Sequence, residues 1–169
     1  MNAILSAMNA AESEEAIDSL LSCCNARRWA ERLAALRPFS DEDALFLAAD
    51  KIWDTMEEPD WMEAFLAHPR IGERAAAHPS ALSSRWSLQE QGAAEAAEAK
   101  VLAELADGNQ RYEDLYGFTY IVRATGKSAE EMLAILKRRL SSDRETELQE
   151  AAKQQREITH IRLRKWLQV

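Results

Sequence analysis

This chain of 169 residues has only two cysteines, four prolines and five glycines. The cysteines are the neighbours Cys23 and Cys24. Adjacent residues point in different directions along a helix, and the pair has no metal-site spacing, so small buried side chains in a reducing compartment are the expectation. β-branched residues are scarce as well, whereas Ala, Leu and Glu are abundant, which favours helices by intrinsic propensity. Basic residues are outnumbered, 21 Lys and Arg against 29 Asp and Glu, for a formal net charge of −8. That balance argues against a general nucleic-acid binder, which needs a basic footprint. No apolar run approaches the ~20 residues that span a bilayer, so no membrane partner is expected. Met1-Asn2-Ala3-Ile4-Leu5 lacks the basic and long apolar parts of a signal peptide, and Leu167-Gln168-Val169 is not a peroxisomal ending; the cytoplasm is the expected location.

What is present is a 47% hydrophobic, 30% charged chain, long enough to bury a substantial core as one domain over residues 1–169. The hydrophobic spacing predicts an all-α, single-domain bundle of about eight helices, some of them short. Ser13 is the expected cap of a helix from Glu14 to about Cys24, and a short helix fits Arg27 to Leu36, ended by Pro38. Ser40 is expected to cap the next, which runs to about Met56. Glu58-Pro59-Asp60 should break that pattern, with Asp60 starting a short helix that ends at His68. The pattern is lost from Pro69 to Trp86, where Gly, Pro and Ser mark a long loop. A helix from Ser87 to about Asp107 should stop at Gly108, and another should span Asn109 to Tyr116. Phe118-Thr119-Tyr120-Ile121-Val122 is too isolated for a sheet and reads as a buried extended segment or a helix entry. Ser128 caps Ala129 to Leu140, and Asp143 caps the last helix, to about Leu167.

The chemistry gathers at Ala67-His68-Pro69-Arg70-Ile71-Gly72. Proline pushes the preceding residue out of the α region, so His68 is where its helix should let go. The partial negative charge of a helix C-terminus favours the protonated ring, and an imidazole titrates near neutral pH in any case. A plain capping role stays open beside an acid/base one. Ser87-Leu88-Gln89-Glu90 fits a capping box, and the same helix N-terminus offers unpaired amides to a carboxylate-bearing ligand. Ser87, Glu90 and Gln91 would add a hydroxyl, a carboxylate and an amide there. If the intervening loop folds back, His68 and Glu90 face one another as a general acid/base pair. His78-Pro79 lacks the Ile-Gly that follows His68-Pro69-Arg70 and reads as a dispensable loop residue. His160 reads as a polar surface residue. Three scattered histidines with no two at i, i+4 give no metal motif.

These strings resemble a known family. Asp60-Trp61, then Ala67-His68-Pro69-Arg70-Ile71-Gly72, then Ser87-x-x-Glu90-Gln91 and Gly117-Phe118 with Tyr120-Ile121-Val122 and Ala124-Thr125-Gly126-Lys127-Ser128 are similar to the OHCU decarboxylases. That family removes CO2 from 2-oxo-4-hydroxy-4-carboxy-5-ureidoimidazoline in urate breakdown. Arg37-Pro38-Phe39, Gly108-Asn109, Tyr112, Arg139-Leu140, Glu157-Ile158 and Arg162-Leu163 extend the likeness over nearly the whole chain. The resemblance implies an all-helical fold, a homodimer, no metal and no organic cofactor. It implies that His68 is the catalytic acid/base and that Glu90 works with it. It further implies substrate contacts from Pro69, Ser87, Gln91 and Arg162, and from the segment Tyr120, Ile121, Val122, Arg123 and Ala124, partly through its backbone. Arg162 is preferred to Arg164 because its spacing from Glu157-Ile158 fits the family pattern. Three positions depart from that pattern: Tyr120 stands where Phe is frequent, Arg123 where Cys is frequent, and Ser142 where Asn is frequent. The rival expectations are a non-catalytic helical dimerisation or adaptor module, for which the basic end Arg162-Leu163-Arg164-Lys165-Trp166-Leu167 could serve as a partner surface, and a sister enzyme acting on a related ureido intermediate.

Overall fold

The computed structural model describes residues 2–72 and 88–169, and the side chains of residues 88–95 lie outside that description. Among the described residues there are eight helices and no strand. They are α1 (Ala3–Ala10), α2 (Ser13–Leu21), α3 (Arg27–Ala35), α4 (Glu42–Trp53), α5 (Glu58–Leu66), α6 (Leu88–Tyr116), α7 (Ala129–Arg139) and α8 (Arg144–Leu167). The all-α expectation holds. The chain forms two compact units, one of Met1–Ala67 with Ala152–Val169, the other of His68–Ala151.

The first unit holds α1 to α5 and the C-terminal part of α8. Its core is built on Leu5, Leu20, Trp29, Leu33, Leu45, Phe65 and Leu163, all essentially inaccessible to water. Two indoles are satisfied inside it: Trp29 Nε1 donates to the Ala49 carbonyl at 3.1 Å and Trp53 Nε1 to that of Ala152 at 3.0 Å. Helix α1 was not expected from the hydrophobic pattern. Only Leu5 and Met8 of its residues are buried, too few to print a period, and it is started by Asn2, whose side chain accepts from the Ile4 and Leu5 amides. Ser13 lies inside α2 instead of capping it, and Asp41, not Ser40, caps α4 by accepting from the Ala44 amide at 2.8 Å. Pro59 does not break the chain ahead of α5 but sits in its first turn, where a missing N–H costs nothing. The Asp60 carboxylate reaches back to the Glu57 amide at 3.1 Å, closing that turn. Cys23 and Cys24 are free and buried, as expected. Burial pushes the Cys24 thiol up to about 12.

The second unit is organised on α6, a single helix of 29 residues. The expected stop at Gly108 is absent. A Cβ at Gly108 would lie 2.6 Å from Leu136 Cδ2, so this glycine serves close approach between α6 and α7. The helix ends instead at Gly117, with φ of 83° and its amide bonded to the Glu113 carbonyl at 2.8 Å. Ser128 caps α7 as expected, accepting from the Glu131 amide at 3.1 Å. Asp143 likewise accepts from the Thr146 amide at 2.8 Å ahead of α8. Between α6 and α7 the chain is buried at Tyr120, Ile121 and Val122 and belongs neither to a helix nor to a sheet.

Candidate active site

Helix α5 ends at Leu66 with Ala67 as its cap, and His68 follows at a bend, so the imidazole stands just past the helix terminus as the proline required. His68 is half-buried and Pro69 is exposed. The next three residues are fastened to α6. Arg70 forms a two-pronged pair with Glu113, Nε to Oε1 at 3.0 Å and Nη2 to Oε2 at 2.6 Å, and a further bond to Gln110 at 3.2 Å. Such forked pairs fix orientation as well as distance. The buried Asn109 amide donates both to the Ile71 carbonyl at 3.0 Å and to that of Leu105 at 2.8 Å. Gly72 adopts φ of 97°, and the space beside its Cα faces Leu102 and Leu105. The H-P-R-I-G string therefore carries one titratable side chain and three residues that hold its backbone in place.

The 120–124 segment is held by a different device. Arg139, on the last turn of α7, is 4% exposed, and its partner Glu147 1%. Arg139 donates from Nε to Glu147 Oε2 at 2.8 Å, from Nη1 to the Ile121 carbonyl at 2.6 Å and from Nη2 to the Tyr112 hydroxyl at 3.3 Å. Tyr112 in turn donates to Glu147 Oε2 at 2.6 Å. The guanidinium lies over the Tyr120 ring at 5.0 Å and the Tyr112 ring at 5.7 Å. Burial opposes its charge, yet Tyr112 and Glu147 outweigh that and hold its pKa above the ordinary value. Tyr112, Tyr116, Phe118 and Tyr120 form one aromatic cluster around it. Burial also raises the Tyr112 and Tyr120 hydroxyls well above the usual phenol range, so both remain donors. Tyr120 OH bonds the Met132 carbonyl at 2.9 Å, which satisfies the extra hydroxyl at this departure from the family pattern. Ser142, another departure, accepts from Tyr116 OH through its backbone carbonyl at 2.7 Å.

Tyr120, Ile121 and Val122 are buried, with exposures of 1%, 1% and 4%. Among the described residues no acceptor is bonded to the Val122 amide. Arg123 is half-buried and Ala124 exposed, and the Arg123 carbonyl accepts from Lys127 Nζ at 3.0 Å. Ser87 and His78 lie outside the described residues. Glu90 and Gln91 lie on the first turn of α6, with side chains outside the description. Arg162 is in the first unit, on α8, half-buried, with Nη1 3.5 Å from the Cys23 carbonyl. His160 differs from expectation. It is no plain surface residue: Nε2 meets Asp50 Oδ1 at 2.6 Å and its ring packs 5.1 Å from that of Phe46. Arg164 covers the same Phe46 ring at 5.5 Å. Among the described residues no group of His, Cys, Asp and Glu could hold a metal ion.

Sequence reasoning did not single out Arg139 with Glu147, or Asn109 and Glu113, as a framework. Hydrophobic periodicity treats a charged or amide residue as a surface position, and nothing local marks a buried pair eight residues apart. The signal available was the Arg139-Leu140, Gly108-Asn109 and Tyr112 likeness, which carries no geometry.

The helical architecture defines an all-α class with solved members. It superposes on a solved OHCU decarboxylase, crystallised in the presence of (S)-allantoin, with a TM-score of 0.72 and 30% identity, covering 94% of this chain and 100% of that one. An (S)-allantoin synthase, 18% identical, shares the fold at a TM-score of 0.67, covering 96% of this chain and 53% of its own. The OHCU decarboxylase family model matches residues 9–164, and the chain belongs to that family. Among curated relatives, the uric acid degradation bifunctional protein TTL of Arabidopsis thaliana is 35% identical over 144 residues, 85% of this chain and 44% of its own length. The bifunctional protein PucL of Bacillus subtilis (strain 168) is 29% identical over 157 residues, 92% of this chain and 31% of its own. The chain thus spans less than half the length of these relatives.

Proposed function

We propose that this chain, read as one domain over residues 1–169, decarboxylates 2-oxo-4-hydroxy-4-carboxy-5-ureidoimidazoline to (S)-allantoin. The observation that carries the reading is the family match over 9–164, which runs through both compact units, joined to a solved relative covered over its full length. The chemistry suits a small set of residues. In the substrate the carbon bearing the carboxylate adjoins an imine carbon. When that carbon–carboxylate bond breaks, the electron pair moves toward the imine nitrogen and CO2 leaves. The nitrogen takes up a proton with that pair, the resulting enol gives up its hydroxyl proton, and the neighbouring carbon takes one on a single face. The imine serves as the electron sink, so the mechanism calls for no organic cofactor and no metal.

In this reading His68 performs the acid/base step, and Glu90 orients it or receives the hydroxyl proton. Pro69, Ser87, Gln91 and Arg162 contact substrate, and Tyr120 to Ala124 present backbone to it, the unbonded Val122 amide being the donor best suited to a carboxylate or carbonyl. The resemblance supports a homodimer, and the cytoplasm is the location taken in this reading; among the described residues no helix is long and apolar enough to cross a membrane. Twenty residues, roughly 30 Å of helix rise, separate Glu90 from Gln110, where Arg70 is held. A direct His68–Glu90 pair therefore asks the first turns of α6 to leave that line.

The experiment is chiral. Freshly generated substrate is followed by circular dichroism with and without protein. Spontaneous decay gives a racemate and the enzyme gives one hand. His68→Asn should lower turnover by ~10²–10⁴. Near-normal turnover with unchanged product chirality would remove His68 from the mechanism. A His68→Asn, Glu90→Ala double-mutant cycle reads the pairing, since losses that simply add mean that the two groups act apart.

A further inference from the structure

The buried charge pair on α7 and α8 calls for its own explanation. A buried ion pair is poor evidence for stability, because desolvation consumes most of the Coulombic gain. What this pair does is hold a carbonyl. The Ile121 oxygen is the nearest acceptor to Arg139, at 2.6 Å, in a segment that has no neighbouring strand to orient its peptide groups. A trans peptide is planar, so its C=O and the following N–H point in opposite directions. Pinning the Ile121 carbonyl toward the guanidinium therefore turns the Val122 N–H away from it. That N–H has no acceptor among the described residues, although Val122 is 4% exposed. A buried, unbonded amide is costly enough that it asks for a ligand or an explanation.

We propose that Arg139 is a positioning residue for substrate: through the Ile121 carbonyl it aims the Val122 amide into the binding site, and Glu147 with Tyr112 keeps the guanidinium in the one plane that does so. The inference rests on the proposed function, which gives the 120–124 segment to the substrate. Three donors of one guanidinium are spent on Glu147, Ile121 and Tyr112. A lysine ammonium is a single point at the end of a flexible stem and cannot occupy those directions at once.

Arg139→Lys is the test, with Tyr116→Phe as a stability control. Tyr116 OH bonds the Arg139 and Ser142 carbonyls and does not touch the guanidinium. Partial unfolding lowers the concentration of active enzyme, and so the apparent kcat, but leaves KM alone. A misdirected amide weakens binding. Arg139→Lys should raise KM about tenfold, and weaken the affinity for (S)-allantoin as a probe by a similar factor. Tyr116→Phe should lower the unfolding midpoint with KM unchanged. If Arg139→Lys lowers the midpoint and leaves KM and allantoin affinity as in the wild type, Arg139 is only structural and the inference is overturned. If Arg139→Lys does not reach the native state by near-ultraviolet circular dichroism, Glu147→Asp is read the same way. It keeps the charges and shortens the carboxylate's reach, and KM must again rise. Wild-type protein that fails to give one-handed product defeats the proposed function, and this inference with it. Active wild type with an unmoved KM in the variant defeats the inference alone.

Discussion

At Gly72 the backbone takes φ of 97°, a region that a side-chain-bearing residue enters at a cost of ~1–2 kcal/mol. Space is not the obstacle, since the nearest atom to an added Cβ, Leu105 Cδ1, is at 3.5 Å. Gly117 offers a control, with φ of 83° and nothing within 4 Å of an added Cβ. Gly72→Ala and Gly117→Ala should each lower stability by ~1 kcal/mol in urea titration, but only Gly72→Ala should also impair turnover, because it shifts the stretch that holds His68. Equal turnover in both would mean that the Arg70 and Asn109 bonds hold His68 without help from the glycine. At this scale the sequence was legible where a residue has one physical talent. Proline before Arg70 fixed the helix end, and Ser128 and Asp143 cap as their side chains dictate. It was not legible where a residue's role depends on what packs against it, as at His160, whose Asp50 partner lies 110 positions away.

Helix α6 shows the same division among elements. Its hydrophobic pattern was readable, and its length was not, because Gly108 looks alike as a stop and as a place where another helix comes close. Only the α7 side chain distinguishes them: Leu136 is fully buried, and a Cβ on residue 108 would stand 2.6 Å from its Cδ2 and 3.3 Å from its Cγ. Alanine is otherwise the better helix former by about 1 kcal/mol. Overpacking a closed contact costs ~1–3 kcal/mol, so Gly108→Ala should be net destabilising. Adding Leu136→Ala should recover much of that loss relative to Leu136→Ala alone, since the second change empties the space that the first one needs. If Gly108→Ala is stabilising by itself, α6 and α7 are not in close contact there, and the glycine is a helix defect. Tyr120, Ile121 and Val122 were legible as a buried segment outside any sheet. Its support was not, because a sheet advertises itself by alternation, whereas this segment is fixed by an arginine that looks like a surface residue of α7.

Across the whole molecule the net charge of −8 says more about solubility than about folding. The buried groups that carry no charge at neutral pH say more about folding. Cys24 in the first unit is held up to about 12 from an ordinary 9.0, chiefly by burial. Tyr112 and Tyr120 in the second are raised as well, burial again being the first cause. In each case the folded state keeps the proton and the unfolded state gives it up earlier. The unfolded chain therefore binds fewer protons as pH rises past its own pKa values, and stability falls with pH. Stability from these groups is complete below pH 9 and is lost as pH climbs toward their folded values. For Cys24 alone the interval from 9.0 to about 12, at ~1.4 kcal/mol per pH unit, amounts to about 4 kcal/mol. Urea titrations at pH 8, 9, 10 and 11 should show a steepening loss of unfolding free energy. Cys24→Ala should flatten its onset near pH 9, and Tyr120→Phe should flatten it from about pH 10, the ordinary phenol range. Whatever each variant costs at pH 8, its slope is what the argument concerns. A Cys24→Ala curve that falls as steeply as wild type between pH 9 and 11 would mean that this thiol ionises in the folded protein, and that the core around it admits charge.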